Sequence, residues 1–144
     1  MQKLNIEQRQ FYGLSCELPN SPKDRIESIR NIWSEVKSIL SKQGIDSYSQ
    51  SAIIENDLPN STGTARYLAL CDYECNELEE YKLEAGEFLC IEHQGLPKDL
   101  GKTLQKIGPD QFKSVTKSLE LFLYPENYKP NDPAAIIKYL LPIS

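Results

Sequence analysis

The segment Leu119-Glu-Leu-Phe-Leu-Tyr124 sets a carboxylate among apolar residues at strand spacing. Side chains of a strand alternate between its faces, so Leu119, Leu121 and Leu123 share one side and Glu120, Phe122 and Tyr124 the other. The leucines are expected to face the helices. The opposite face then carries a carboxylate beside two aromatic rings, which suits a flat organic cation: ion pairing strengthens out of water, and aromatic faces attract cations. An unpaired carboxylate is costly to bury, so a buried one often marks a site. The same alternation fits the solvent face of an antiparallel sheet, where Glu and Tyr are common, and the pattern alone leaves both readings open.

A second alternating run, Arg66-Tyr-Leu-Ala-Leu-Cys-Asp-Tyr73, groups Tyr67, Ala69, Cys71 and Tyr73 on one face and Leu68 with Leu70 on the other. Small residues between tyrosines leave room for a guest. Tyr48, Phe88, Phe122 and Tyr139 can extend an aromatic wall, since ligand pockets are mostly apolar with few polar anchors; each also fits an ordinary place in a core. Trp33, at the edge of a helical apolar stripe, suits core packing at least as well as ligand stacking.

Other chemistries find little support. The single histidine, His93, excludes a two-histidine metal site and would make a Ser-His-Asp triad depend on an exposed-looking strand residue, with no Gly-x-Ser-x-Gly elbow in the chain. There is no phosphate loop or dinucleotide fingerprint. Cys71 and Cys75 are spaced as metal ligands can be, but zinc needs two more. No cofactor or metal is therefore expected, and Cys16, Cys71, Cys75 and Cys90 read as free thiols. The stretch from Asp72 to Glu87 holds seven carboxylates against Lys82 alone and lacks calcium-loop spacing, so it reads as a solvated face. Lys98, Lys102 and Lys106 form a stripe at helical spacing, the solvated side of a short helix.

At 144 residues the chain is sized for one domain, residues 1–144, able to bury roughly 68% of its unfolded surface. A net charge of −5 opposes nonspecific binding to polyanions, which needs excess Lys and Arg, so no direct nucleic-acid partner is expected. The longest apolar runs, such as Tyr139-Leu-Leu-Pro-Ile143, fall far short of a membrane span. The opening residues lack the apolar core and cleavage site of an export signal, and a cytoplasmic location is expected.

The elements that must position these residues follow from periodicity and caps. Ser21-Pro22-Lys23-Asp24 opens a helix, with Ser21 at the cap, Pro22 in the first position and Asp24 near the positive dipole end. Ile26, Ile29, Ile32, Trp33, Val36, Ile39 and Leu40 form its apolar stripe, and Gly44 ends it. A shorter helix begins at Pro97-Lys98-Asp99, carries Leu100, Leu104 and Ile107, and stops at Gly108-Pro109. Strands are expected at 11–18, 48–55 and 64–73 around the first helix, with a turn over Asp57-Leu-Pro-Asn-Ser-Thr-Gly63. Around the second they are expected at 87–94, 119–124 and 135–141, with an extended lead at 79–85. The order is strand-helix-strand-strand, twice.

An offset of 75 places Pro22-Lys23-Asp24 on Pro97-Lys98-Asp99, Glu17 on Glu92, Leu14 on Leu89 and Ile29 on Leu104. Duplication, with pseudo-repeats at about 8–75 and 79–144, or coincidence between two capped amphipathic helices both explain this. The expected class is α+β, with helices on one side of antiparallel sheets.

Over nearly its whole length the chain resembles the GyrI-like small-molecule-binding family, the effector-binding domain also found in bacterial multidrug-sensing transcription regulators. The resemblance lies in the order of Phe11-Tyr-Gly-Leu-Ser15, Ile29-Arg-Asn-Ile-Trp33, Tyr67-Leu-Ala-Leu-Cys71, Tyr81-Lys-Leu-Glu-Ala-Gly-Glu-Phe88 leading to His93-Gln-Gly95, Leu119-Glu-Leu-Phe122, and Ile137-Lys-Tyr-Leu-Leu-Pro-Ile143. It implies a tandem fold with pseudo-twofold symmetry and a ligand channel between the halves. In that channel a strand carboxylate matching Glu120 meets cationic, lipophilic compounds. Tyr48 and Tyr67 match the aromatic lining, with Trp33 and Phe122 as further ligand-binding candidates.

Only ten residues precede Phe11, leaving no room for a helix-turn-helix, so a stand-alone effector- or drug-binding module is expected. The resemblance admits two alternatives: a hydrolase of cyclopropane-bearing toxins using channel Glu and Tyr residues, and a protein acting on a gyrase or regulator partner.

Overall fold

Pro22 opens helix α1 (Pro22–Lys42), with Ser21 in extended conformation before it and Asp24 in its first turn. Gly44, at φ +76°, ends it: its amide bonds the carbonyl of Ser41 and that of Ile45 bonds Leu40, the paired bonds of a Schellman motif. The buried side of α1 is Ile32, Val36 and Leu40. Ile26, expected in that stripe, is instead 54% exposed.

The computed structural model describes residues 2–56, 65–116 and 118–143. The expected turn from Asp57 to Gly63 lies outside these residues. Among them are strands β1 (Gln2–Ile6), β2 (Arg9–Leu18), β3 (Gln50–Glu55), β4 (Ala65–Cys71), β5 (Glu79–Leu83), β6 (Gly86–Gln94), β7 (Leu119–Leu123) and β8 (Ile136–Pro142). The second helix is divided: a 3-10 turn, Pro97–Asp99, leads into α2 (Leu100–Gln105), and a further 3-10 turn follows at Pro109–Phe112.

All strands join one sheet in the order β1-β6-β8-β7-β3-β4-β2-β5, every pairing antiparallel. The α+β tandem expected from the sequence is thus the observed fold. The order reads identically from both ends: β1-β6-β8-β7 mirrors β5-β2-β4-β3, and the halves meet at β7 and β3. Each half takes its outermost strand from the other side of the chain, β1 beside β6 and β5 beside β2.

The register locates the pseudo-twofold. Cys16 lies opposite Tyr67 and Ile91 opposite Tyr139, and Cys16 and Ile91 are separated by the same offset of 75 that matches Pro22 to Pro97. Tyr67 and Tyr139 are therefore equivalent positions. At the seam Ile54 faces Glu120, Ala52 faces Phe122, and Ile53 faces Leu121 between them. The axis passes through the Ile53–Leu121 pair, carrying Ile54 onto Phe122 and Ala52 onto Glu120.

Both helices pack on one face of the sheet. Helix α1 covers Tyr67, Ala69, Cys71 and Ala52, while Leu100, Leu104 and Ile107 cover Leu89, Ile91, Tyr139 and Leu141. By alternation Glu120 and Phe122 are on this same face. The leucines of β7 are not: Leu121 is fully buried on the other side, among Phe11, Ile53, Leu68, Leu70, Leu140 and Phe88. The expectation that the leucines face the helices is reversed. Strand alternation separates two faces without saying which carries helices, and here both faces are apolar because side chains from β1 through β6 form a second core on the leucine side.

Candidate functional site

The uncovered centre of the helix-bearing face lies at the seam, where β7 presents Glu120 and Phe122 and β8 presents Tyr139 beside them. Asn56, one residue past β3, is held against β7 by its backbone amide bonding the carbonyl of Ser118 at 2.9 Å. Its side-chain Nδ2 donates to Glu120 Oε2 at 3.1 Å, and the Tyr139 hydroxyl donates to Glu120 Oε1. Glu120 is half-buried. Burial raises the pKa of the Tyr139 hydroxyl far above its usual 10, and the bonded carboxylate raises it further, so Tyr139 remains a neutral donor.

Above this pair opens a cavity of about 860 Å³. Glu120, Tyr139 and Leu141 form its sheet side with Asn56, while Leu104 of α2 and Pro109 and Phe112 of the following turn form the other wall. Charge is thus concentrated at one point in apolar surroundings. The short α2 creates this space: α1 fills the corresponding volume of the first half with Ile32, Val36 and Leu40.

A row of rings runs from the carboxylate toward α1. Phe122 lies 5.1 Å from Tyr139, tilted 45°, and 6.5 Å from Tyr124, nearly parallel at 11°. Tyr124 in turn stacks on Tyr128 at 4.5 Å. At the far end the Tyr67 hydroxyl accepts from Trp33 Nε1 at 2.9 Å and meets that of Tyr124. Burial pushes the Tyr67 hydroxyl up to about 12.

The structure brings six of the residues singled out in the sequence into this row: Glu120, Phe122 and Tyr139 at the seam, Tyr124 beside them, and Tyr67 and Trp33 at its α1 end. Tyr48 is set apart. It lies beside Cys71, whereas Tyr67 is four residues earlier on β4, about 13 Å along the strand. Phe88 belongs to the leucine-side core and cannot join the wall, and Tyr73 lies past the end of β4, exposed.

His93, expected to be exposed, is 2% exposed. Its Nε2 donates to the Leu96 carbonyl at 2.8 Å, which leaves Nδ1 to accept from the Thr103 hydroxyl at 2.6 Å. The lone histidine fastens α2 to β6. Asn56, Phe112, Pro109 and Tyr128 do not stand out in the sequence; the alternation of Leu119–Tyr124 is the local signal for the seam. Among the described residues no cluster of His, Cys, Asp and Glu could hold a metal ion, and no helix is long and apolar enough to cross a membrane.

No family model matches the sequence, and no curated protein matches it significantly. Solved structures do match. SAV2435 bound to tetraphenylphosphonium superposes with a TM-score of 0.72 at 14% identity, over 99% of this chain and 93% of that one. A putative bacterial transcription regulation protein from Staphylococcus aureus MU50 gives 0.69 at 13% identity, covering 99% and 97%. The EcmrR C-terminal domain gives 0.62 at 11%, covering 99% and 96%. Likenesses at such identities establish the fold, and it is the fold that the GyrI-like resemblance implied.

Proposed function

We propose that this chain is an effector-binding module that takes amphipathic aromatic cations into the seam cavity, with Glu120 as charge anchor. One observation carries the reading. Among the described residues no lysine or arginine pairs with Glu120; its two bonds come from the neutral groups of Tyr139 and Asn56. These donors hold the carboxylate in place and, among the described residues, leave its charge uncompensated, in apolar surroundings where an incoming cation is attracted more strongly than in water.

Phe122, Tyr139 and Phe112 offer ring faces to the ligand's aryl groups, and Tyr67 with Trp33 closes the α1 end of the row. Tyr48, beside Cys71 and past the end of α1, stands outside this row. The tetraphenylphosphonium held by SAV2435 is the type of compound this arrangement suits. The module acts in the cytoplasm, without binding nucleic acid itself, and passes the bound state to a regulator or gyrase partner.

The test is a thermal-shift screen of cationic, neutral and anionic aromatic compounds, since a ligand preferring the folded state raises its apparent stability. Stabilisation by cations alone, lost in Glu120→Gln, is expected. Equal stabilisation by neutral and anionic compounds contradicts the reading.

The Tyr139–Glu120 bond favours one second reading, hydrolysis of a strained electrophile with Glu120 as base toward water and Tyr139 as proton donor. Incubation with a cyclopropane-bearing electrophile separates the two. A binder returns the compound unchanged, while a hydrolase gives ring-opened product at a rate lost in Glu120→Gln.

A further inference from the structure

Within residues 126–132, in the connection between β7 and β8, one side chain turns inward. Glu126, Asn127, Lys129, Pro130, Asn131 and Asp132 are exposed, yet Tyr128 among them is only 8% exposed. Its ring lies on Tyr124 with centroids 4.5 Å apart and planes 23° apart, the geometry of a stacked guest.

Two features make this seat weakly held. The Tyr128 hydroxyl is buried without a hydrogen-bond partner, so returning it to water restores a bond the seat denies it. Asn127, which turns the ring inward, has φ +56° and is the one non-glycine residue of positive φ among those described. The surface under Tyr128 is continuous with the proposed site, because Tyr124 stacks on Phe122 and Phe122 packs on Tyr139, the partner of Glu120.

We propose that the slot over Tyr124 is a second ring-binding subsite, filled in the free protein by Tyr128 and vacated when an aryl group of the ligand takes its place. This rests on the cation-binding reading above and narrows it: ligands carrying several aryl groups are selected over single-ring cations, because only they reach both Glu120 and the slot. Ligand must compete with Tyr128, so apparent affinity is reduced by the fraction of time the slot is open.

Calorimetric titration with tetraphenylphosphonium and with phenyltrimethylammonium, against the wild type and Tyr128→Ala, tests this. Removing the occupant is expected to tighten tetraphenylphosphonium binding about five- to tenfold and leave phenyltrimethylammonium unchanged. In protein labelled with 3-fluorotyrosine, the Tyr128 resonance, assigned by its loss in Tyr128→Phe, should move to a solvent-exposed position on adding tetraphenylphosphonium. Tyr128→Phe keeps the ring and drops the unpartnered hydroxyl, so it should melt a few degrees higher than the wild type. Weaker or unchanged tetraphenylphosphonium binding in Tyr128→Ala, or an unmoved resonance, overturns the subsite while Glu120-dependent binding still upholds the underlying reading. Absence of binding by every form of the protein overturns both.

Discussion

Tyr67 and Tyr139 occupy equivalent positions of the two halves, opposite Cys16 and Ile91, but their hydroxyls do opposite work. Tyr67 accepts from Trp33, whereas Tyr139 donates to Glu120. The asymmetry extends to the seam, where the mate of Glu120 is Ala52, fully buried under α1. A symmetric frame thus carries a single carboxylate, on the side where the helix is short.

The two tyrosines should respond unequally to loss of the hydroxyl. Tyr139→Phe removes a charge-assisted bond and should cost about 1.5–3 kcal/mol. Tyr67→Phe leaves the indole N–H of half-buried Trp33 without its acceptor and should cost nearer ~1 kcal/mol. Urea unfolding of both variants measures the difference.

Alkaline pH should unfold the chain. The Tyr67 hydroxyl is raised by burial to about 12 from an unfolded value of 10.0. The folded state therefore holds this proton more tightly. Its contribution is complete below pH 10 and is lost as pH rises toward 12, on the order of 1 kcal/mol per unit. Unfolding free energy should stay level between pH 8 and 9.5 as far as this group is concerned, fall above pH 10, and fall less steeply in Tyr67→Phe.

Gly13 is required by strand contact. A Cβ there would lie 1.9 Å from the backbone carbonyl oxygen of Ala69 on paired strand β4. No rotamer relieves a clash with backbone, so Gly13→Ala should destabilise by about 3 kcal/mol or more, or prevent folding. Circular dichroism during thermal unfolding reads this directly.

His93→Ala should release α2 from the sheet. The change leaves the Leu96 carbonyl and the Thr103 hydroxyl without their partner and opens a cavity, at a cost of about 2–4 kcal/mol. Hydrogen exchange should rise first in Leu100–Gln105, the element that walls the ligand cavity.

Much of this architecture was legible because strand alternation and helix caps are local. Alternation grouped Glu120 with Phe122 and placed Tyr67 on one strand face, Trp33 lay at the edge of a helical stripe, and the match of Pro22 to Pro97 foretold the equivalence that the register makes explicit. What escaped is non-local. The alternation of β1 is short, Leu4 and Ile6 alone, and its pairing with β6 joins residues 80 to 88 apart in sequence. The leucine side of β7 was given to the helices because alternation cannot choose between two apolar faces. His93 looked exposed because its partners, Leu96 and Thr103, are brought to it by the turn at Pro97–Asp99. Asn56 belongs to the site only through the β3–β7 pairing across the seam, and Tyr128 only through the backbone turn at Asn127.

The central claim is that an uncompensated carboxylate selects cations, and titration calorimetry tests it most directly. Tetraphenylphosphonium and uncharged triphenylphosphine oxide are titrated into the wild type and into Glu120→Gln, which keeps the side-chain shape and removes the charge. The account predicts that tetraphenylphosphonium binds the wild type at least about tenfold more tightly than Glu120→Gln, about 1.4 kcal/mol, with the phosphine oxide unaffected. Equal affinity of tetraphenylphosphonium for both proteins would contradict it.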